Sequence, residues 1–160
     1  MAEFEISAGK YDVVVVGPGK RYSISQLSAE GAEVVGHVIN LAAGASPSLS
    51  VTVTAGGVAV RGTVKKAAKP FPGAMVVLIP RDPQGNHDLF RRDQSDLDGT
   101  FDLRGVVPGS YTVAAIENGW DLNWAETDLI AGYAKHGQKI QVAAQSGSSL
   151  NISDIPVPSK

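Results

Sequence analysis

The sequence predicts an all-β sandwich, and three observations carry that prediction. The 160 residues are 43% hydrophobic, enough for a packed core, and include 18 Gly and 9 Pro, a turn-rich composition. The apolar residues fall in short runs rich in Val, Ile, Thr and Tyr, set about 8–12 residues apart over much of the chain. The chain also repeats itself: Gly9-Lys10-Tyr11-Asp12-Val13 answers Gly109-Ser110-Tyr111-Thr112-Val113 at a shift of 100 residues, the size of one sandwich domain. Upstream, Phe4-Glu5-Ile6 resembles Phe101-Asp102-Leu103, and downstream Ser48-Leu49-Ser50-Val51 resembles Ser149-Leu150-Asn151-Ile152. On this reading residues 1–54 are the C-terminal half of a first repeat, residues 55–160 are a complete second one, and the opening half of the first copy is missing. Half a sandwich exposes an unpaired edge and half a core. It must dock on the complete domain, fold as a reduced sandwich, or take strands from another molecule.

Each element has its own reason. Tyr11 to Val16 is a β-branched run, and the Gly17-Pro18-Gly19-Lys20 that follows reads as a hairpin turn. A phosphate-binding loop fails there, because Val14 stands where the first Gly belongs and Arg21 replaces the Ser or Thr. Leu49 to Thr54 and Val58 to Val64 alternate β-branched with small or polar residues. Met75 to Ile79 is continuously apolar, bounded by Pro72-Gly73 before it and Pro80 after it. Thr100 to Leu103 follows the Asp98-Gly99 turn, and Ser110 to Ile116 lies between Pro108-Gly109 and Asn118-Gly119. Lys139 to Val142 and Leu150 to Ile152 complete the strands. Thr127 to Gly137 breaks the pattern and predicts a short helix, with Thr127 as its cap, Gly137 as its end, and Leu129, Ile130 and Tyr133 as its buried stripe.

The motifs from Val60 to Ile116 carry a resemblance. Gly62-Thr63-Val64, then Pro72-Gly73-Ala74-Met75-Val76-Val77-Leu78, then Asp96-Leu97-Asp98-Gly99-Thr100-Phe101, then Pro108-Gly109-Ser110-Tyr111, resemble the carboxypeptidase regulatory-like domain, a relative of the Cna-B and prealbumin-like β-sandwiches. The resemblance implies a structural module in a tandem array of a large exported or cell-envelope bacterial protein, and binding modules occur among its members. In the metallocarboxypeptidases that gave the family its name, zinc and catalysis belong to a separate domain. Some Cna-B relatives carry a Lys–Asn isopeptide bond; Lys65, Lys66 and Lys69 lie near a strand end here, without a matching late Asn and partner Glu. The same motifs have a purely structural use: Phe101, Tyr111 and Val113 would point inward from facing strands, and Asp96 and Asp98 would accept hydrogen bonds in their own turn.

Charge and composition narrow the function. With 14 Lys+Arg against 16 Asp+Glu the net charge is -2, which argues against a nucleic-acid face. Zero cysteines remove disulfides and thiolate chemistry. No run reaches the roughly 18 apolar residues of a membrane helix, so no membrane insertion is expected, and the acidic start lacks signal-peptide character. His37, His87 and His136 share no ligand spacing, and Gln145-Ser146-Gly147 lacks the leading Gly of a nucleophile elbow, so no catalytic residue and no cofactor is expected. Asp93, Asp96 and Asp98 fail as an EF-hand and are left as a loose calcium candidate, with turn formation the default. Arg81, Arg91 and Arg92 beside Asp82, Asp88 and Asp93 read as a solvated mixed-charge edge. Trp120, Trp124 and Tyr133, gathered on the excursion, are the candidate binding residues for a carbohydrate or a protein partner. The plainer reading is that they staple the excursion to the sandwich. Self-association through the half-repeat is the third expectation.

Overall fold

The computed structural model describes residues 5–18, 22–124, 126–143 and 149–158. Its first five strands are β1 (Gly9–Asp12), β2 (Tyr22–Glu30), β3 (Glu33–Val35), β4 (Val38–Leu41) and β5 (Ser48–Ala55). β1, β4 and β3 make one antiparallel sheet in that order, and β2 pairs with β5 as a ribbon whose register shifts between Ile24 and Gln26. The strand expected from Tyr11 to Val16 instead begins at Gly9 and ends at Asp12. Val13 still donates its N–H to the His37 carbonyl at 2.9 Å, but beyond it Val14 is 63% and Val16 91% exposed. A run of valines specifies a strand only when something stands beside it, and among the described residues no strand pairs with β1 on that edge. The turn expected at Gly17-Pro18-Gly19-Lys20 falls partly outside the described residues.

Ten further elements follow: β6 (Val58–Lys66), β7 (Lys69–Pro70), β8 (Met75–Pro80), β9 (Arg91–Gln94), β10 (Thr100–Val106), β11 (Gly109–Ile116), α1 (Thr127–Ala134), β12 (Gln138–Val142), β13 (Ser149–Asn151) and β14 (Ile155–Pro156). They build an all-β sandwich of two sheets. One sheet runs β10-β6-β13, with β14 and β7 also on β6; the other runs β12-β11-β8-β9. Val58, Val60, Val64, Phe101, Leu103, Tyr111 and Val113 meet between the sheets, so the inward alternation expected of Phe101, Tyr111 and Val113 is observed. The continuous apolar run of β8 has a physical reason. Val76 and Leu78 enter that core, while Met75, Val77 and Ile79 face outward into a second cluster with Ala114, Ile116, Phe90 and Ile130. Leu122, Trp124, Ile130, Tyr133 and Ala134 cover this outer face, so both faces of β8 and β11 lie under apolar side chains.

α1 corrects three details. It begins at Thr127, but Glu126 holds the cap position without a side-chain capping bond, its carboxylate accepting instead from the Asn123 amide at 2.6 Å. Of the expected stripe only Ile130 is fully buried; Tyr133 is half-buried against the outer cluster and Leu129 is half-buried outside it. The stripe narrows because a two-turn helix presents little more than one position to a nearly flat sheet. Gly137 serves by close approach: a Cβ there would lie 2.6 Å from the Thr112 methyl and 2.7 Å from the Val113 carbonyl oxygen.

The repeat seen in the sequence has a counterpart in the pairing. In β1 and β4, Gly9 faces Leu41 and Tyr11 faces Ile39; in β11 and β12, Gly109 faces Val142 and Tyr111 faces Ile140. Both tyrosines donate their hydroxyl to the carbonyl four residues upstream at 2.8 Å, Tyr11 to Ser7 and Tyr111 to Val107. A glycine two residues before each tyrosine lies against the ring, where a Cβ would stand 3.6 Å away at Gly9 and 3.3 Å away at Gly109. What differs is the neighbour: β11 has β8 on its other side and β1 has none among the described residues.

Candidate functional site

Three places gather chemistry-bearing side chains. The first is the excursion that carries Trp120, Trp124 and Tyr133. Trp120 is 45% exposed, whereas Trp124 and Tyr133 are half-buried against the outer cluster. Trp124 tilts against Phe90 with ring centroids 5.2 Å apart. The guanidinium of Arg92 lies 4.3 Å from the Trp124 ring centroid and 5.4 Å from that of Trp120, a cation–π stack reaching from β9 to the excursion. Two of the three aromatics thus do the stapling, and Trp120 alone stands open.

The second place is an open groove of about 820 Å³ over the outer surface of β6 and β10, lined by Arg61, Arg92, Arg104, Asp93, Asp96 and Asp102 among others. Asp102 accepts from Arg104 Nε at 2.8 Å and faces Arg61 Nε at 3.3 Å. Burial pushes its carboxyl upward, but the two guanidinium groups outweigh that and hold it below the usual carboxylate range. Asp93 accepts from the Asp102 backbone N–H at 2.7 Å. Asp98 accepts from the Thr100 hydroxyl at 2.6 Å and the Thr100 N–H at 3.0 Å, and these bonds lower its pKa. The bonded partner of Asp98 is therefore local, as in an ordinary turn, whereas that of Asp93 lies nine residues on, between β9 and β10. Among the described residues no three His, Asp or Glu side chains gather to hold a metal ion, so Asp93, Asp96 and Asp98 do not converge as the calcium candidate required. Lys65 and Lys66 are engaged in ion pairs, with Asp154 at 2.6 Å and Glu117 at 2.7 Å.

The third place is the seam between the N-terminal strands and the sandwich, which sequence spacing did not reveal. His37 is buried at the end of the β3–β4 turn, and its Nδ1 lies 2.6 Å from Asp88 Oδ1. Its N–H donates to the Gly85 carbonyl at 2.7 Å. Gly36 and Gly85, at φ +61° and +81°, let the two backbones touch: a Cβ on Gly85 would stand 2.4 Å from the Val35 carbonyl oxygen. Asp12 approaches His87 at 3.9 Å beside them. Arg91 fixes the loop that carries Asp88, donating to the carbonyls of Asp88, Phe90 and Gly105. Tyr111, close by, is pushed up to about 12 by burial, with Arg91 drawing it down and Asp88 raising it. His37 and His87, 50 residues apart in sequence, reach the same seam through different partners, Asp88 and Asp12; His136 lies beyond the end of α1. A signal was present in the glycines that flank both loops, but glycine marks turns everywhere in this chain.

Comparison with known proteins adds a family. Solved structures that resemble the chain include the Bacillus anthracis TIE protein (13% identity, 75% of this chain and 21% of that one, TM-score 0.39), BcpA, the major pilin subunit of Bacillus cereus (12%, 89% and 39%, TM-score 0.40), and a variant of the same pilin subunit (9%, 85% and 56%, TM-score 0.37). The chain therefore spans between 21% and 56% of the length of these structures. No curated protein matches it in sequence. The profile of the family described as "BOS complex subunit NOMO1-like, second beta sandwich domain" matches residues 55–143, more than half of the 160-residue chain and most of the sandwich. The chain belongs to the family of NOMO1-like second β-sandwich domains.

Proposed function

We propose that this chain is a non-catalytic structural module of a larger exported or cell-surface bacterial protein, with residues 1–54 the C-terminal half of one repeat and residues 55–160 the next. Its kinship with carboxypeptidase regulatory-like and Cna-B sandwiches, carried by the turn motifs, belongs to the same proposal. The observation that supports it best is the seam. A buried His37 held on a half-buried Asp88 at 2.6 Å, a backbone bond at 2.7 Å and two glycines that permit contact make a fixed joint, which a spacer needs and a flexible tether lacks. The test is 15N relaxation of the full chain. A rigid module gives one rotational correlation time for residues 22–55 and 58–142, and His37→Ala raises the mobility of the first set alone. Two independent correlation times in the unaltered chain would contradict the spacer role.

A second reading has one observation behind it: Trp120 is exposed with Arg92 stacked on it. That pairing suits a carbohydrate ring or a peptide side chain. Titration with neutral and uronic-acid oligosaccharides, followed by tryptophan fluorescence, should then give a saturable change that Trp120→Ala abolishes. A flat response across the panel removes this reading.

A further inference from the structure

We propose that the free edge from Tyr11 to Val16 is an acceptor for an apolar β-strand supplied by a neighbouring sandwich repeat of this same type. The proposal rests on the reading of residues 1–54 as half of a repeat. The chain itself displays the occupant on the equivalent edge. Tyr111 to Ile116 of β11 pairs antiparallel with Pro80 to Met75 of β8, and Val113, Ala114, Ala115 and Ile116 are at most 2% exposed there. β1 reproduces the other side of β11 in register, pairing with β4 as β11 pairs with β12, and reproduces the tyrosine hydrogen bond. Among the described residues only the β8 side is open, and the matching residues Val14 and Val16 are 63% and 91% exposed where Ala114 and Ile116 lie in the outer cluster.

A separate strand points to the same occupant. β5 matches β13 at a shift of 101 residues, setting Leu49 on Leu150 and Val51 on Ile152. Leu150 and Ile152 pack on the main core, while β13 pairs with β6. Their counterpart β5 turns to β2 instead, and Val51 and Val53 remain 40% and 43% exposed. Strands of the β6 and β8 kind would cover both places, and the sequence that made them would read like residues 58–80. The register follows from the template: the donor runs antiparallel, with its proline opposite Tyr11 and its apolar residues opposite Asp12 to Val16. Main-chain hydrogen bonds would supply the affinity, and the apolar alternation would supply the choice of partner.

The experiment titrates the isotope-labelled full chain with a synthetic peptide of the β8 sequence Ala74–Pro80, flanked by lysines for solubility. Backbone shifts and amide exchange are followed together. The expected result is saturable shifts confined to Tyr11–Val16 and their neighbours on β4, with alternate amides of that edge exchanging at least about tenfold more slowly. A peptide carrying proline in place of its central valine should not bind, and Val15→Pro in the protein should abolish binding while the His37 amide keeps its shift. Unchanged shifts at Tyr11–Val16, or equal binding of the proline peptide, overturn the proposal. So does protection of this edge that grows with protein concentration alone, which would make a second copy the occupant. The rigid-joint measurement is independent of this one, so a mobile seam with a working acceptor, or the reverse, identifies which reading failed.

Discussion

Tyr111 concentrates the chemistry of the sandwich in one side chain. Its ring fills the space between the sheets, its hydroxyl donates to Val107 at 2.8 Å, and its pKa is pushed up to about 12 from 10.0, chiefly by burial. The sign of the linkage follows. The folded protein holds this proton more tightly than the unfolded chain, so the stabilisation is complete below pH 10 and is lost as pH rises towards 12. That amounts to a fall of up to about 2–3 kcal/mol over the interval. Urea unfolding at pH 9, 10, 11 and 12 (about these values) should show the slope, and Tyr111→Phe should flatten it while costing about 1 kcal/mol at neutral pH for the lost hydrogen bond. An unchanged slope in Tyr111→Phe would mean that other groups carry the alkaline loss.

At the scale of elements, burial decides which stretches of sequence could be read in advance. β8 and β11 were legible because both of their faces are covered, which demands unbroken apolar or small residues, and the Gly and Pro turns around them set their limits. β2 and β9 were not. Tyr22–Glu30 carries Ser, Gln and Glu because one face of its ribbon meets solvent, and Arg91-Arg92-Asp93-Gln94 is an edge strand whose side chains serve the groove, the seam and the tryptophans. The apolar residues of the excursion predict its helix, but a stripe of three buries more than two turns can supply, and only Ile130 is fully covered. Of the candidate site residues, the aromatics of the excursion were legible as a cluster, while their sharing of Arg92 depends on a strand pairing that local pattern does not encode. The His37–Asp88 seam is a tertiary event with no local signature. A mutational contrast tests the account of α1: Ile130→Ala should cost about 2–4 kcal/mol by opening a cavity in the outer cluster, whereas Leu129→Ala should cost under about 1 kcal/mol. Thermal unfolding of the two variants beside the parent chain measures both.

The whole molecule is a sandwich with the N-terminal strands fixed to it at a small joint built on His37 and Asp88. The same motif, a glycine, a tyrosine bonded four residues back and a strand paired in the same register, occurs once with its β8 neighbour and once without. That contrast is the central claim, and native-state amide exchange of the dilute, monomeric chain tests it most directly. The account predicts that the amides from Val113 to Ile116 exchange only through global unfolding, while those from Val14 to Val16 exchange at nearly the rate of an unstructured peptide. Comparable protection at Val14 to Val16 and at Val113 to Ile116 would contradict it, because the edge beyond β1 would then already be paired.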